Sequence, residues 1–402
     1  MSSTVSGLPP LRLKKNEERR LRGGHLWVYS NEVDIDATPL KGFEPGAPVE
    51  IQAHNGRPLG SGYVNPHALL CARLVSRDLE HPLDRSLIVH RLKVALALRE
   101  RLFPGPWYRL CHGESDGLPG VVVDRFGEVA VVQLTTAGME RLRDEVVTAV
   151  EKVVRPATII LRNDISSRKA EGLESYVETV LGETPERLEL EENGARFQVA
   201  AASGQKTGWF YDQRDNRARL ARYVTGKRVL DLFSYTGGWG VQAAVFGADQ
   251  VLCVDGSQPA LEQLAENAAL NGVGDRVSAQ QGDVFEILKT LRAEGERFDV
   301  IVCDPPAFIK RKKDVKEGFA AYQRVNQAAA QLLGKDAILV SASCSFHLKR
   351  EQLLQAVAGG AHHLGRRAQI LEQGHQGADH PVHPHIPETD YIKAFFARVL
   401  PR

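Results

Sequence analysis

The chain has no paired cysteines. Its five, Cys71, Cys111, Cys253, Cys303 and Cys344, form no CxxC pair and share no regular spacing. Structural zinc sites and disulfide scaffolds need such spacing, so no metal is expected and a reducing cytoplasm is the expected compartment. Long apolar runs are also missing: none approaches the roughly 18 residues needed to span a bilayer. The opening MSSTVSGLPPLRLKK lacks the apolar core of a secretory signal. Nor does one sign of charge dominate. The 51 Lys and Arg face 50 Asp and Glu, a net charge of +1, so contact with RNA or DNA must rest on local patches.

What the chain does have is length. Its 402 residues exceed one typical core, and the patterning divides them into 1–78, 79–186 and 187–402. Residues 1–78 alternate apolar and polar positions between Gly, Pro and Asn breakers, as in WVYSNEV, APVEIQAHNG and GSGYV, with Asn55-Gly56 as a hairpin turn. Before them, residues 11–25 (LRLKKNEERRLRGGH) carry six basic and two acidic side chains. This is either a solvated helix face or a phosphate-contacting patch that includes Lys14 and Lys15. Residues 79–186 predict a compact α/β domain: a helix in SLIVHRLKVALALRERLF, two strands around Phe126-Gly127, a helix in GMERLRDEVVTAVEKVV and a strand in ATIILRND.

LELEENGARFQV (188–199) predicts a second Asn-Gly hairpin. From about residue 227, strands and helices alternate, the signature of a parallel sheet with helices on both faces. Ligands bind such sheets at the C-terminal strand ends. The first strand ends in Asp231, followed by LFSYTGGWG, where Gly237, Gly238 and Gly240 let a ligand approach the backbone. This loop departs from GxGxxG spacing, and its leading acid would repel a pyrophosphate but suit the sulfonium and amine of S-adenosylmethionine. The second strand ends VLCVDGS, where Asp255 can accept two ribose hydroxyls, and the third ends QQGD, where Asp283 can reach an adenine amine. Helix capping is the alternative for each acid taken singly.

The fourth strand ends VCDPPAFIK. Two prolines forbid regular backbone and turn Asp304 and the Pro305 carbonyl toward the cleft, with Phe308 available to stack on a base. D-P-P-x-aromatic is a pattern of methyltransferases acting on nucleobases or amide nitrogens. The following RKK includes Arg311 and Lys312, either phosphate contacts or a solvated loop. The fifth strand ends SASCSF. An exocyclic amine needs no thiol for methylation, but a pyrimidine C5 becomes nucleophilic only after addition at C6, and a cysteine thiolate at the cleft edge performs that step. Cys344 therefore reads as a nucleophile for cytosine C5 or, in an exocyclic-amine methyltransferase of guanine N2 or adenine N6, as core filler. A non-catalytic RNA-binding assembly factor is a third class, opposed by the intact glycine turn and strand-end acids.

HLWVYSNEV, ESDGLPG, DISSRKAEGL, GQKTGWFYDQRDNR, FSYTGGWG, VIVCDPPAF, SASCS and ADHP, in this order, resemble the RlmI-type ribosomal RNA large-subunit methyltransferases, which form 5-methylcytosine in 23S rRNA. The resemblance spans nearly the whole chain. It implies an N-terminal PUA β-barrel domain that binds RNA, a central α/β domain, a Rossmann-like class I methyltransferase domain and a homodimer. It implies Cys344 as the nucleophile, with Asp304 beside it, and S-adenosylmethionine held by Asp231, Phe233, Ser234, Gly237, Gly238, Asp255, Gly256, Ser257, Asp283, Asp304 and Pro305. Lys206, Thr207, Gln213 and Arg214 are expected to border the cofactor and target base, with Pro305 and Phe308. Histidines 375, 380, 383 and 385 in HQGADHPVHPH suggest a proline-stiffened loop rather than a metal site, since they lack ligand geometry.

Overall fold

The computed structural model describes residues 7–201 and 207–401. It forms two compact units, one of Met1–Leu188, Ala200–Trp209 and Ala378–Thr389, the other of Glu189–Val199, Phe210–Gly377 and Asp390–Arg402. Besides its first two residues, two short pieces of the stretch 187–402 belong to the first unit, and polar bonds hold them there. Thr207 Oγ1 donates to Asp124 Oδ2 (2.6 Å), and the backbone amide of Arg109 donates to Asp379 Oδ2 (2.9 Å).

The first unit contains two five-stranded sheets. In the first, Pro10–Arg12 pairs in parallel with Ala47–Gln52, and Pro58–Val64, Leu70–Ser76 and Trp27–Tyr29 continue it antiparallel. The Asn55-Gly56 turn joins two of these strands, with Gly56 at φ 81°. Leu11, Leu13, Leu21, Val28, Val49 and Ile51 fill the core. The basic stretch forms a short helix, Glu18–Arg22, that buries Leu21 and leaves Arg19, Arg20 and Arg22 outside. The second sheet runs from Trp107–His112 to Val177–Leu181. Helices Arg85–Leu102 and Arg143–Val154 pack Ile88, Leu92, Val146 and Val150 against it. The single helix predicted over 138–154 is interrupted at Leu142, which separates Ala137–Arg141 from Arg143–Val154.

A hairpin lying mostly in the second unit, Arg187–Glu192 with Ala195–Ala200, turns at Asn193 (φ 54°) and Gly194 (φ 81°). The left-handed pair matches the twist of the flanking strands. The main sheet has seven strands: β1 Arg228–Leu232, β2 Gln250–Asp255, β3 Val277–Gln281, β4 Phe298–Cys303, β5 Leu333–Ser343, β6 Arg366–Gly374 and β7 Lys393–Pro401. Their order is β3-β2-β1-β4-β5-β7-β6, with β7 antiparallel to both neighbours. Helices α1 Gly240–Val245, α2 Gln258–Leu270, α3 Val284–Ala293, α4 Val315–Gln331 and α5 Arg350–His363 cover it. Strand order reverses between β2-β1 and β4-β5, which places the switch point at the ends of β1 and β4. No helix among the described residues is long and apolar enough to cross a membrane.

Candidate active site

The turn after β1 is built from unusual backbone. Phe233 (φ 63°) and Tyr235 (φ 49°) both occupy the left-handed region, where bulky side chains are rare and cost about 1–3 kcal/mol each. Three bonds hold them there: Ser234 N to the Val254 carbonyl (3.1 Å), Tyr235 N to Asp255 Oδ2 (2.9 Å) and Gly237 N to the Ser234 carbonyl (2.9 Å). Gly237 itself has φ 91°, and a Cβ there would press on Val241 and Leu264. At Gly240 a Cβ would lie 2.3 Å from Cys253 Sγ and 3.0 Å from Asp231 Oδ2, so α1 can start over β1 only as glycine. Gly238 is buried in the same turn.

Asp231 is fully buried, and its Oδ2 accepts from Gly240 N (2.8 Å). Burial holds its carboxyl well above the usual range. The Gly240 bond opposes that shift, and the nearby Asp304 and Asp255 add to it. Asp231 Oδ1, Ser234 Oγ and Thr236 Oγ1 are buried without a hydrogen-bond partner. Buried polar atoms are seldom left so. Their grouping on one turn fits the amine and carboxylate of an amino-acid tail such as that of S-adenosylmethionine.

Asp255 ties β2 to this turn: Oδ2 accepts from Tyr235 N, and Oδ1 from Ser257 N (2.8 Å). Gly256 lies between, with nothing closer than 4.0 Å to an added Cβ. Ser257 caps α2 through Ala260 N. Asp283 is exposed and caps α3, Oδ1 accepting from Phe285 N (2.9 Å) and Glu286 N (3.2 Å). Capping and the ligand role are therefore not exclusive at these strand ends, because each carboxylate oxygen can accept more than one bond.

Asp304, at the end of β4, receives two side-chain donors. Gln213 Nε2 bonds Oδ1 (3.0 Å) and Trp239 Nε1 bonds Oδ2 (2.9 Å). The Gln213 carbonyl is in turn held by Asn216 Nδ2 (2.7 Å), on a fully buried side chain. Burial pushes the Asp304 carboxyl up to about 6, against the pull of the Trp239 bond. Pro305 is buried beside it. Phe308 is half-buried, its ring 4.9 Å from Tyr322 and 6.2 Å from Phe233. Phe308 thus braces the turns, and the exposed ring of the neighbourhood is Phe346, at 36% exposure and 5.3 Å from His347.

Cys344 follows β5, whose register pairs Cys303 with Ser341 on β4. It is the one cysteine of the five that is not buried. Ser343 and Ser345, which flank it, are buried and bonded to one phenol. Ser343 Oγ donates to the Tyr322 hydroxyl (2.8 Å), which shares a 3.0 Å bond with Ser345 Oγ. Ser345 N donates back to Ser343 Oγ (3.1 Å). The knot fixes the backbone on both sides of Cys344. Cys303 is fully buried in the strand, and burial pushes its thiol up.

Several of the expected residues have partners of their own within their unit. Thr207 is wholly buried in the first unit, its hydroxyl spent on Asp124, which Arg109 also holds through two bonds (2.8 and 2.7 Å). Lys206 lies outside the described residues. Arg214 turns toward the buried Glu192 (3.6 Å) and over the Tyr211 ring (5.0 Å) rather than to Asp304. Arg311 pairs with Asp314 (3.0 Å) and Lys312 is exposed. Lys14 bonds the Asn31 carbonyl (2.8 Å) and Lys15 is exposed, both in the first unit. In the ADHP stretch, His380 shares a 2.8 Å bond with Asp379, and both are buried. Among the described residues no group of three or more His, Cys, Asp or Glu side chains could hold a metal ion. The sequence reading missed Trp239, Asn216, Tyr322 and Lys393. Trp239 was visible in TGGWG, whereas the others act through contacts distant in sequence.

An acid-led glycine turn at the switch point of this sheet, with three buried polar atoms left unpaired there, defines a Rossmann-like S-adenosylmethionine-dependent methyltransferase. Residues 140–376 match the family model of S-adenosylmethionine-dependent methyltransferases, and residues 11–77 match a PUA-like domain. A solved structure described as a methyltransferase complexed with SAH superposes with a TM-score of 0.83 at 21% identity, covering 97% of this chain and all of its own. A SAM-dependent methyltransferase from Streptococcus mutans gives 0.81 at 21% identity. The ribosomal RNA large subunit methyltransferase I of Shewanella frigidimarina is 38% identical over 398 residues, 97% of this chain and 99% of its own. That of Salmonella arizonae is 38% identical over 404 residues, 99% of each. The chain belongs to the ribosomal RNA large subunit methyltransferase I family.

Proposed function

We propose that the chain methylates carbon 5 of a cytosine in 23S rRNA through a covalent bond between Cys344 and C6. The observation that carries this reading is the Cys344 turn. The one unburied cysteine stands at the end of β5, its backbone locked on both sides by the Tyr322 knot, beside the strand that ends in Asp304. A thiol serving only as packing needs no such locking. The relatives' names supply the ribosomal RNA substrate, and the PUA-like region with Lys14 and Lys15 supplies a basic surface for RNA.

The target base leaves its stack to enter the cleft, with Phe346 offering an exposed face to an unstacked base. The Cys344 thiolate adds to C6. Asp304, its carboxyl raised to about 6, gives its proton to N3 as negative charge builds there. The resulting enamine carries nucleophilic character at C5. Bound S-adenosylmethionine supplies an electrophilic methyl group. A base then takes the C5 proton, the C6–S bond breaks to restore the thiolate, and N3 returns its proton to Asp304. Asp231, Ser234 and Thr236 hold the amino-acid end of the methyl donor, Asp255 its ribose and Asp283 its adenine edge.

The test is nucleoside mass spectrometry of digested 23S rRNA after reaction with the purified protein. The expected product is 5-methylcytidine. N2-methylguanosine or N6-methyladenosine would overturn the thiol mechanism and leave Cys344 as packing.

A further inference from the structure

Lys393 opens β7 and is 6% exposed. Lysine is almost never buried unless paired. Its ammonium donates to two carbonyls, those of Ser345 (2.8 Å) and Tyr391 (3.1 Å), and neither carries a formal charge. Its Cα lies opposite Ser343 in the antiparallel β5–β7 pair. The side chain therefore starts across from residue 343 and ends on residue 345, bracketing Cys344. These two hydrogen bonds supply no anion to offset the buried charge.

We propose that Lys393 is the positioning residue of the nucleophile: it pins the turn from below and supplies the positive charge that favours the Cys344 thiolate. This rests on the reading of Cys344 as the nucleophile. Thiolates form readily next to lysine, and here the lysine is preorganised by two fixed carbonyls. Burial lowers the Lys393 amine to about 8. Of the groups that face it, Asp390 raises it, Arg350 lowers it and Cys344 raises it. Asp390 is itself held by His375 (3.0 Å), and Arg350 bonds the Gly374 carbonyl (3.1 Å) over the Phe395 ring. Tyr322 faces the same turn as a neutral phenol, its proton held more tightly by burial. The ammonium is therefore charged below about pH 8, where the thiolate needs it.

The test is the rate of Cys344 alkylation by iodoacetamide in the full-length protein between pH 6 and 9, read by peptide mass spectrometry. In Lys393→Met the rate at pH 7 should fall about tenfold or more and the profile should move to higher pH. Lys393→Arg, which keeps the charge, should stay within a few-fold of the wild type. An unchanged profile in Lys393→Met overturns the proposal. If Lys393→Met no longer binds S-adenosylmethionine by calorimetry and so has lost its fold, Lys393→Arg decides: a wild-type profile supports the proposal, and the profile of an unstructured cysteine peptide overturns it. Alkylation involves no methyl transfer. A Lys393 effect without any 5-methylcytidine product would sink only the nucleophile reading, and the reverse pattern only this inference.

Discussion

The two halves of the seven-stranded sheet end in different chemistry. At β1, β2 and β3 the acids bind backbone amides: Asp231 takes Gly240 N, Asp255 takes Tyr235 and Ser257, and Asp283 takes Phe285 and Glu286. At β4 and β5 the bonds run mainly between side chains, Asn216 to Gln213 to Asp304 and Ser343 to Tyr322 to Ser345. The first arrangement fixes loops and leaves lone pairs for a ligand. The second fixes individual reacting groups. Binding and reaction should therefore separate under mutation, the β1–β3 ends governing affinity for the methyl donor and the β4–β5 ends governing the rate.

The largest separation is expected at Cys344. Cys344→Ala should reduce methylation by at least about 10³-fold while calorimetric S-adenosylmethionine affinity stays within a few-fold. Loss of both together would erase the difference between the two halves of the sheet. Asp304→Asn should lower the rate by about 10² to 10⁴-fold and change its pH dependence. Thiolate rises with pH as protonated Asp304 falls, so the wild-type single-turnover rate should climb to a break at about pH 6 and then level off. The variant should lose that break, its residual rate continuing to climb. A wild-type break far from pH 6 would remove Asp304 as proton donor.

Tyr322→Phe leaves Ser343 and Ser345 without their shared partner and should cost about 1–3 kcal/mol of stability, read from the urea midpoint. It should also slow methylation more than it weakens donor binding. The smallest effect is expected at the far end of the other half. Asp283→Ala removes the α3 cap and should cost about 0.5–2 kcal/mol, whereas Asp283→Asn should retain most of it. A rate loss in Asp283→Ala at saturating donor would blur the division between the halves.

The first five strands and the helices between them were legible because their apolar runs and breakers alternate at regular intervals, and a parallel sheet places its chemistry at strand ends. The last part of the sheet was not. β6 alternates half-buried and exposed positions along an edge, a weak signal, and β7 inserts out of order between β5 and β6. That insertion carries Lys393 to the Cys344 turn, a juxtaposition no local motif encodes. SASCSF announced the cysteine but not the purpose of its serines, because their partner Tyr322 sits one helix earlier. KTGWFYDQRDNR reads as one motif, yet the structure spends Thr207 on Asp124 in one unit and Gln213 on Asp304 in the other.

The proposed reaction requires a covalent bond from Cys344 to the target base. Incubation with S-adenosylmethionine and 23S rRNA carrying 5-fluorocytidine blocks removal of the C5 substituent and should trap that bond. The wild type should give a protein–RNA adduct whose peptide maps to Cys344, and Cys344→Ala should give none. An adduct that persists in Cys344→Ala, or 5-methylcytidine formed on ordinary RNA by a protein that traps no adduct, would contradict it.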